Sequence, residues 1–471
     1  MGFFRNSFIL AFGTGFSQII PLALMPVIGR LYNPGEYGIY SFIMSVAAVT
    51  SVMLSLRFEN ALILPRLNRA ASLLLGFVLS LAGLGFIAAC LAAAAVTFLM
   101  PENHPAQAWL WLVPVLALSQ NLVQTGSMYA NRLQQYKTIA ASSVVIQAVY
   151  GFLGVLAGTV HPGPGGLIYS RIAGQFAGTT VLIKRAWPGI ALRGLSIRKM
   201  AYFFKTYRQF PLFNMPNMLL STASRESAVL IFTFFGSPHA AGFYGIIRAG
   251  LLMPVNLISS SLGQVYARQA TLHLHQESFR AFTLTLVAAL LCILALPFSL
   301  FSHYAGSILG VILGSDWADA GAYAIIILPL ALLQTVTIWL IRILEITHRQ
   351  HLGFRLRAVF DTAAVVALAA MLALGYGPLP SLAFYTFFLL IYELLLTATV
   401  FRVLMLPIYK LLVILAGVMA LYALQTGLHV VCQSAGLQML QAFMLESAAT
   451  LILTAGIGIF FVRRLKENMV F

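Results

Sequence analysis

The chain has 471 residues, of which 60% are hydrophobic and only 8% are charged. A water-soluble protein could not bury that much apolar surface beneath a polar exterior. The composition therefore excludes a soluble globular protein and predicts an all-α polytopic membrane protein. The net charge of +16 would favour a nucleic-acid partner in a soluble domain. In a membrane protein topology explains such a charge, and no nucleic-acid partner is expected.

About fourteen apolar runs are long enough to cross a membrane. They lie at 7–29, 38–56, 72–98, 109–130, 138–160, 167–183, 214–236, 243–265, 281–301, 322–341, 358–374, 381–401, 411–431 and 441–462. An even number of spans places both termini on one side. That side holds 24 of the 28 Lys and Arg residues, and the other side holds only Arg30. This bias predicts cytoplasmic N- and C-termini. The first run has no small-residue cleavage site after it, so it is predicted to be a retained helix.

Two stretches of the chain share one pattern. "LYNPGEYGIY" (31–40) and "FGSPHAAGFY" (235–244) each have Pro at the fourth position, Gly at the eighth and Tyr at the tenth. The first joins spans 1 and 2, and the second joins spans 7 and 8. This placement predicts two parallel six-helix lobes that face each other across a central axis, with two further helices at the C-terminus. The alternative is that Pro and Gly recur in any tight membrane turn.

The predicted organisation has four parts. Residues 1–183 form an N-terminal lobe, 184–213 a basic cytoplasmic linker, 214–401 a C-terminal lobe, and 402–471 the last two helices with a cytoplasmic tail. The linker mixes basic and apolar residues in a pattern typical of an amphipathic helix on a membrane surface. Its apolar members are Ile197, Tyr202, Phe203 and Phe204.

Polar side chains recur at helical spacing in several spans. The stripe in span 7 advances by three or four residues, so its members lie on one face. Lipid does not tolerate such stripes, and these faces must line a cavity or pack between helices. The span 7 stripe consists of Asn214, Asn217, Ser221 and Arg225. Similar stripes in spans 1, 4, 6 and 8 are Thr14 and Gln18; Gln120, Gln124 and Ser127; Arg171, Gln175 and Thr179; and Arg248, Asn256, Ser259 and Gln264.

Three arginines fall inside predicted spans, where each costs about 2.5–3.5 kcal/mol to insert at the centre. Arg225 lies near mid-membrane, and Arg171 and Arg248 lie in the non-cytoplasmic third. Adjacent helical residues point about 100° apart, so Glu226 need not neutralise Arg225. The surplus positive charge predicts a water-filled cleft with an anionic ligand, and the guanidinium fork suits phosphate. The alternatives are that Arg225 is a structural partner of Glu226, and that Arg171 and Arg248 pack or snorkel.

The acidic residues leave more alternatives open. Arg57 and Glu59, in "LRFENALILPR", lie at the cytoplasmic end of span 2, either as a solvated ion pair or at a cavity mouth. Glu393 lies mid-membrane in span 12, and it either carries a proton or cation or is a neutral carboxyl bonded across helices. Glu226 is the second candidate for ion coupling. Glu446 lies nearer a span end and is less informative.

No metal or cofactor is expected. The pairs His273/His275 and His348/His351 have spacings that a metal could use, but they lie in basic loops without acidic or Cys companions. The sequence has no nucleophile elbow, P-loop or Gly-rich nucleotide fingerprint, so neither enzymatic nor ATP-driven chemistry is expected within this chain.

Four stretches resemble a known family. They are "NSFILAFGTGFSQIIPLALMPVIGRLYNPGEYGIYSFIMS", "LRFENALILPR", "YRQFPLFNMPNMLLSTAS" and "AGFYGIIRAGLLMPVNLISSSLGQVYARQ". They resemble the polysaccharide-biosynthesis flippases, the Wzx-type exporters of O-antigen and exopolysaccharide units in bacterial inner membranes. This family shares a superfamily with multidrug-and-toxin-extrusion (MATE) transporters and lipid II flippases. The resemblance covers residues 1–280 well and the remainder mainly by helix pattern.

The resemblance implies a V-shaped, two-lobed fold around a central cavity. It also implies alternating access that moves an undecaprenyl-pyrophosphate-linked oligosaccharide between leaflets. The implied partners are this anionic lipid-linked substrate, membrane lipids and other polysaccharide-assembly membrane proteins. Spans 13 and 14 would form a lipid groove or pack on the second lobe. The substrate-binding candidates are Arg225, Arg248, Arg171, Arg30, Arg57, Asn214, Asn217 and Gln124.

Two other functions compete with this interpretation. A cation-coupled drug exporter of the same superfamily would be expected to carry an acidic residue within the first lobe's membrane region, and none is found there. A membrane glycan polymerase or ligase needs a large external loop with catalytic residues. The largest external segment, 302–321, holds Asp316 and Asp319 but is short and apolar.

Overall fold

The computed structural model describes residues 2–99, 104–186, 196–274 and 276–468. Seventeen α-helices form in these ranges, and no strand occurs in them, which confirms the all-α prediction. The helices are α1 (Gly2–Leu31), α2 (Pro34–Leu54), α3 (Asn68–Leu99), α4 (Val113–Arg132), α5 (Tyr136–Val160), α6 (Pro164–Ala186), α7 (Ile197–Thr206), α8 (Met215–Phe234), α9 (Pro238–Ile247), α10 (Met253–His273), α11 (Glu277–Leu313), α12 (Ala320–Leu340), α13 (Arg342–Ile346), α14 (Gln350–Ala373), α15 (Pro378–Val403), α16 (Ile408–Ser434) and α17 (Met439–Asn468).

Nine helices in the described ranges are long and apolar enough to cross a membrane, so the chain is a multi-pass membrane protein. The predicted number of fourteen is not confirmed. Helices α4, α6, α8 and α10 overlap predicted spans but are not among the nine. They carry the polar stripes of spans 4, 6, 7 and 8, which lower their hydropathy.

Local sequence sets the two repeated turns. Asn33 caps α2 by accepting a bond from the Glu36 amide at 2.9 Å, and the Glu36 carboxylate accepts one from the Asn33 amide at 3.0 Å. Pro34 suits the first helical position because its missing N–H has no partner there anyway. In the second turn, Gly236 adopts φ +75° and ends α8, and the Ser237 amide donates to the Phe232 carbonyl at 2.9 Å.

The two turns pack against each other. A Cβ on Gly38 would overlap the carbonyl oxygen of Pro238, and a Cβ on Gly242 would overlap the carbonyl oxygen of Pro34. A Cβ on Gly245 would lie 3.4 Å from the Cβ of Ser41. These contacts join positions of the two copies reciprocally, as a local two-fold arrangement does. Small residues let the backbones of α2 and α9 approach this closely, as in tightly packed membrane helices.

The chain separates into two compact units, residues 1–246 and 247–471. Helix α8 and nearly all of α9 belong to the first unit, because α8 packs along α2 and the turn before α9 packs on the turn before α2. The two units divide at residue 246, whereas the predicted lobes divide at the 184–213 linker. The two-lobe organisation stays a prediction.

Within the first unit, the described part of the linker contains helix α7. Phe203 is buried, with its ring centroid 6.0 Å from that of Phe77. Phe204 lies 5.6 Å from Phe58 by the same measure. Ile197, Tyr202 and Phe204 are exposed, so Phe203 is the apolar residue of this helix that is buried. Residues 187–195 of the linker lie outside the described ranges.

In the second unit, the segment 302–321 that was predicted to be external is mostly helical. Helix α11 continues to Leu313 and ends at Gly314, which adopts φ +113°. A 3₁₀ turn at Ser315–Trp317 then leads into α12. The hydropathy pattern weakens at polar residues near 302, but the packed side of the helix continues, since Leu309 and Leu313 are buried. The connection between α11 and α12 is therefore only six residues long, Gly314–Asp319.

Replacing Gly38 or Gly242 by Ala is expected to lower the free energy of unfolding by about 1–3 kcal/mol, because the new methyl group meets backbone atoms that cannot rotate away. Thermal unfolding of the purified protein in detergent measures the effect. Gly83→Ala is the matched control, since a Cβ there has no neighbour within 4 Å. The double variant should cost less than the sum, because the first substitution already separates the segments. Equal stability of Gly38→Ala and Gly83→Ala would contradict the contact.

Candidate functional site

The predicted polar stripe lies on the exposed face of α8. Asn217 and Arg225 of α8 are exposed, as is Asn214, the residue just before the helix. Thr222 and Glu226, on the adjoining side of the helix, are buried. Helix α8 therefore presents a row of polar side chains along one face, and the row ends at the Arg225 guanidinium. In a membrane protein, lipid does not tolerate such a face.

Two site residues lie in π-helical turns. Asn214 is in the turn Phe210–Asn214, and Arg248 is in the turn Arg248–Leu252 of the second unit. Each turn comes just before a proline, Pro216 or Pro254, whose missing N–H cannot make the ordinary helical bond. Wider π turns of this kind are frequent at functional sites.

Arg225 and Glu226 form an ion pair despite being adjacent on the helix. The Arg225 Nε lies 3.5 Å from the Glu226 Oε1. The Arg225 side chain is 56% exposed, whereas that of Glu226 is 8% exposed. Ser45 of α2 donates to the other carboxylate oxygen at 2.9 Å. The expectation that Glu226 need not neutralise Arg225 is thus corrected: the long arginine side chain folds back over the 100° between the two Cα–Cβ directions.

A second polar cluster lies where α2 ends. Leu56 and Arg57 adopt left-handed backbone angles, with φ +50° and +64°, and so turn the chain into the 3₁₀ helix Phe58–Ile63. The Arg57 Nη1 lies 3.1 Å from the Glu59 Oε1, and their side chains are 13% and 1% exposed. The ion pair expected here forms, but it is not solvated, because the Glu59 carboxylate is buried and the Arg57 side chain is mostly covered. Left-handed non-glycine residues cost energy and tend to cluster at functional sites.

Asn214 joins this cluster to the start of α8. Its Oδ1 accepts bonds from the Arg57 Nε at 3.4 Å and from the Asn60 Nδ2 at 3.2 Å. The structure therefore brings Arg57 and Asn214 together, although they are 157 residues apart in the chain.

Buried polar residues that the sequence did not single out support the cluster. Asn121 of α4 donates to the Ser55 Oγ at 2.8 Å, and Ser55 donates to the Glu59 Oε2 at 2.5 Å. Together with Ser45 and Asn60, these residues lack a periodic polar pattern. Only the packing of α2 on α4 and α8 makes them partners.

Arg171 packs within the first unit. Its Nη1 donates to the Gln147 Oε1 at 3.1 Å, and its guanidinium carbon lies 5.3 Å from the Tyr150 ring centroid. The Tyr150 ring in turn stacks on that of Tyr40, in the first repeated turn, at 6.1 Å. Gln175, one turn further along α6, accepts a bond from Ser119 at 2.7 Å. This stripe packs between helices, the second of the two predicted possibilities.

Four candidates remain. In the first unit, Arg30 is exposed at the end of α1, and Gln124 is half-buried on α4. In the second unit, Arg248 is half-buried, and Glu393 is buried and accepts a bond from the Gln334 Nε2 at 3.2 Å. Thr397, one turn from Glu393, is buried on the same side.

The described residues contain no group of three or more His, Cys, Asp and Glu side chains placed to hold a metal. His275 lies outside the described ranges.

The fold matches a solved membrane transporter. The lipid II flippase MurJ, in an inward closed conformation, superposes with a TM-score of 0.69 at 13% sequence identity, over 97% of this chain and 99% of that chain. A MATE transporter of Vibrio cholerae, VcmN, is 12% identical over 85% of this chain and 96% of its own, with a TM-score of 0.44. The first likeness defines the class of protein: an all-helical membrane protein with the flippase fold.

The chain belongs to the polysaccharide biosynthesis protein family, whose model matches residues 27–322. The family predicted from the four sequence stretches is thereby confirmed. Among proteins with curated descriptions, none matches the sequence.

Glu59→Gln is expected to destabilise the first unit by about 3–5 kcal/mol, because it leaves the Arg57 guanidinium buried without its counter-charge. Thermal unfolding in detergent measures the loss. The control is Glu345→Gln, which breaks a pair with Arg342 whose two side chains are each 50% exposed. That change should cost less than about 1 kcal/mol. Equal losses in the two variants would mean that the Arg57 pair is effectively solvated.

Proposed function

We propose that this protein is a flippase that moves undecaprenyl-pyrophosphate-linked oligosaccharide units from the cytoplasmic to the periplasmic leaflet by alternating access. The observation that carries the proposal is the polar face of α8, which runs from Asn214 to Arg225 in a family of polysaccharide biosynthesis proteins. A face of this kind needs water or a polar ligand beside it.

Arg225 is the proposed contact for the pyrophosphate. Its side chain is more than half exposed, and the pair with Glu226 holds its Nε side. A guanidinium has five N–H donors in a planar fork, and that fork matches the geometry of phosphate oxygens. The amides of Asn214 and Asn217, on the same face, suit sugar hydroxyls. The lipid tail would stay in the bilayer.

The other arginines have weaker claims to the ligand. Arg57 is held by Glu59 and Asn214, so we assign it to the cytoplasmic end of the proposed substrate path. Arg171 is engaged with Gln147 and Tyr150, which favours a packing role. Arg248 remains a candidate in the second unit.

Alternating access requires contacts that open in turn. Helix α2 has one such contact at each end. The repeated turns meet around Gly38 and Gly242 at its start, and Arg57 and Asn60 meet Asn214 beyond its end. We assign the first contact to the gate on the non-cytoplasmic side and the second to the cytoplasmic gate.

The proposed location is the bacterial inner membrane, with both termini in the cytoplasm. It rests on the 24 basic residues on one predicted side against one on the other. For ion coupling we favour Glu393 over Glu226. Glu393 is buried beside the neutral Gln334 amide, whereas Glu226 is already committed to Arg225 and Ser45.

The proposal predicts that Arg225→Ala lowers transport about tenfold or more. A hydrogen bond to a charged group contributes about 1.5–3 kcal/mol, and about 1.4 kcal/mol corresponds to tenfold. A strain that lacks the gene should accumulate the lipid-linked oligosaccharide on the cytoplasmic leaflet, and the wild-type gene should clear it. Arg225→Lys, which keeps the charge but loses the fork, should fall between the wild type and Arg225→Ala.

Arg342→Ala is the matched control, because Arg342 is exposed and pairs with Glu345 on the surface of the second unit. It should complement fully at equal membrane abundance. Full complementation by Arg225→Ala would be compatible with the flippase function but would show that Arg225 does not bind the substrate. No accumulation in a deletion strain without a second flippase would refute the function and favour drug export.

A further inference from the structure

A cluster of titratable side chains lies in the second unit and includes no residue proposed for transport. Glu446 of α17 is fully buried. Its Oε1 accepts bonds from the Tyr304 hydroxyl of α11 at 2.8 Å and from the His429 Nδ1 of α16 at 2.9 Å. One carboxylate thus joins the last two helices to α11.

The charges of this cluster do not balance when both imidazoles are neutral. The two donors to Glu446 are then uncharged, and its Oε2 has no hydrogen-bond partner among the described residues. With Glu446 ionised, the cluster would carry a net negative charge in a helix bundle, which is costly. A proton on Glu446 itself would have to sit on this Oε2, because the Oε1 already accepts two bonds, and the resulting O–H would have no acceptor among the described residues. One added proton on His429 makes an ion pair with Glu446 and brings the net charge to zero.

A second histidine limits the cluster to one proton. The ring centroids of His303 and His429 are 4.4 Å apart, so two imidazolium charges would repel strongly. The His303 Nδ1 is bonded to the Ser299 carbonyl at 2.7 Å. The other titratable groups facing the pair from the packed helices are Tyr304 and, beside it, Cys432.

Gln433 links the His429 Nε2 to the solvent and can form a hydrogen bond with it in either charge state. Its Nε2 lies 2.9 Å from the His429 Nε2, and it is exposed one residue before the end of α16. The amide donates to the Nε2 of a neutral ring. When the Nε2 carries a proton, the same amide can rotate so that its oxygen accepts. His429 therefore keeps both of its hydrogen bonds in either charge state.

We propose that His303, His429 and Glu446 form a proton-binding site that takes up one proton on the His429 Nε2 from the solvent beside Gln433. The bound proton neutralises the cluster and holds α16 and α17 on α11. The site is independent of the transport proposal, since none of its residues belongs to the face of α8.

The test is ¹⁵N NMR of the imidazoles in the full-length protein in detergent micelles, with His429 assigned by comparison with His429→Gln. At about pH 6 the protonated fraction of His429 is expected to fall about tenfold or more in Glu446→Gln, because the attracting charge is lost. Tyr304→Phe removes a donor from the carboxylate but keeps its charge, so it should raise the protonated fraction. This second variant also decides the question if Glu446→Gln does not fold.

Glu345→Gln is the matched control, because its carboxylate is exposed and paired with Arg342. It should leave the His429 signals unchanged. A His429 that stays neutral from about pH 5 to 8, or an unchanged protonated fraction in Glu446→Gln and Tyr304→Phe, would overturn the site. A decrease of that fraction on adding Na⁺ at fixed pH would identify a metal cation as the ligand and overturn it also.

Discussion

The close packing of α2 against α8 and α9 is the constraint on which the first unit depends. Gly38 and Gly242 lie where the backbones of the two repeated turns meet, and neither position has room for a side chain. Small residues at this contact bring α2 near enough to α8 for Ser45 to bond Glu226. The same approach brings Arg57 to Asn214 at the other end. Glycine at two positions therefore allows the close approach on which both of these polar contacts depend.

That geometry decides which charges can act on a ligand. Glu59 and Glu226 are buried and hold the arginines beside them, so each arginine is positioned by a carboxylate on the protein side. The two differ in exposure: the Arg57 side chain is 13% exposed and that of Arg225 is 56% exposed. An exposed guanidinium fixed at its base suits transient binding of an anion. A buried one suits a contact that holds two segments together.

Much of the fold followed from the sequence, because helical membrane proteins must satisfy their backbone bonds within each helix. Apolar runs and polar stripes therefore located the helices, and the shared Pro, Gly and Tyr positions indicated the related turns. Hydropathy could not show that α11 continues to Leu313, since burial of Trp317 and its neighbours is a property of packing.

The site was less predictable than the fold. The stripe ending at Arg225 was found by its helical spacing, and the structure places it on one exposed face. The partners Ser45 and Asn121 were not found, because a single serine or asparagine in a helix has no periodic signal. The importance of Glu446 was missed for a related reason. Its position near a span end gave no sign of a functional role, and its contacts with Tyr304 and His429 join three helices that meet only in the folded chain.

The most direct measurement is a reversible cross-link between the repeated turns, made with Ser41→Cys and Gly245→Cys in a background without Cys90, Cys292 and Cys432. A Cβ on Gly245 would lie 3.4 Å from that of Ser41, close to the separation of about 3.5–4.5 Å in disulfides. If this contact is a gate, oxidation should form the bond and stop delivery of lipid-linked oligosaccharide to the outer leaflet, and reduction should restore it. Undiminished delivery by the fully cross-linked protein would contradict alternating access through this contact.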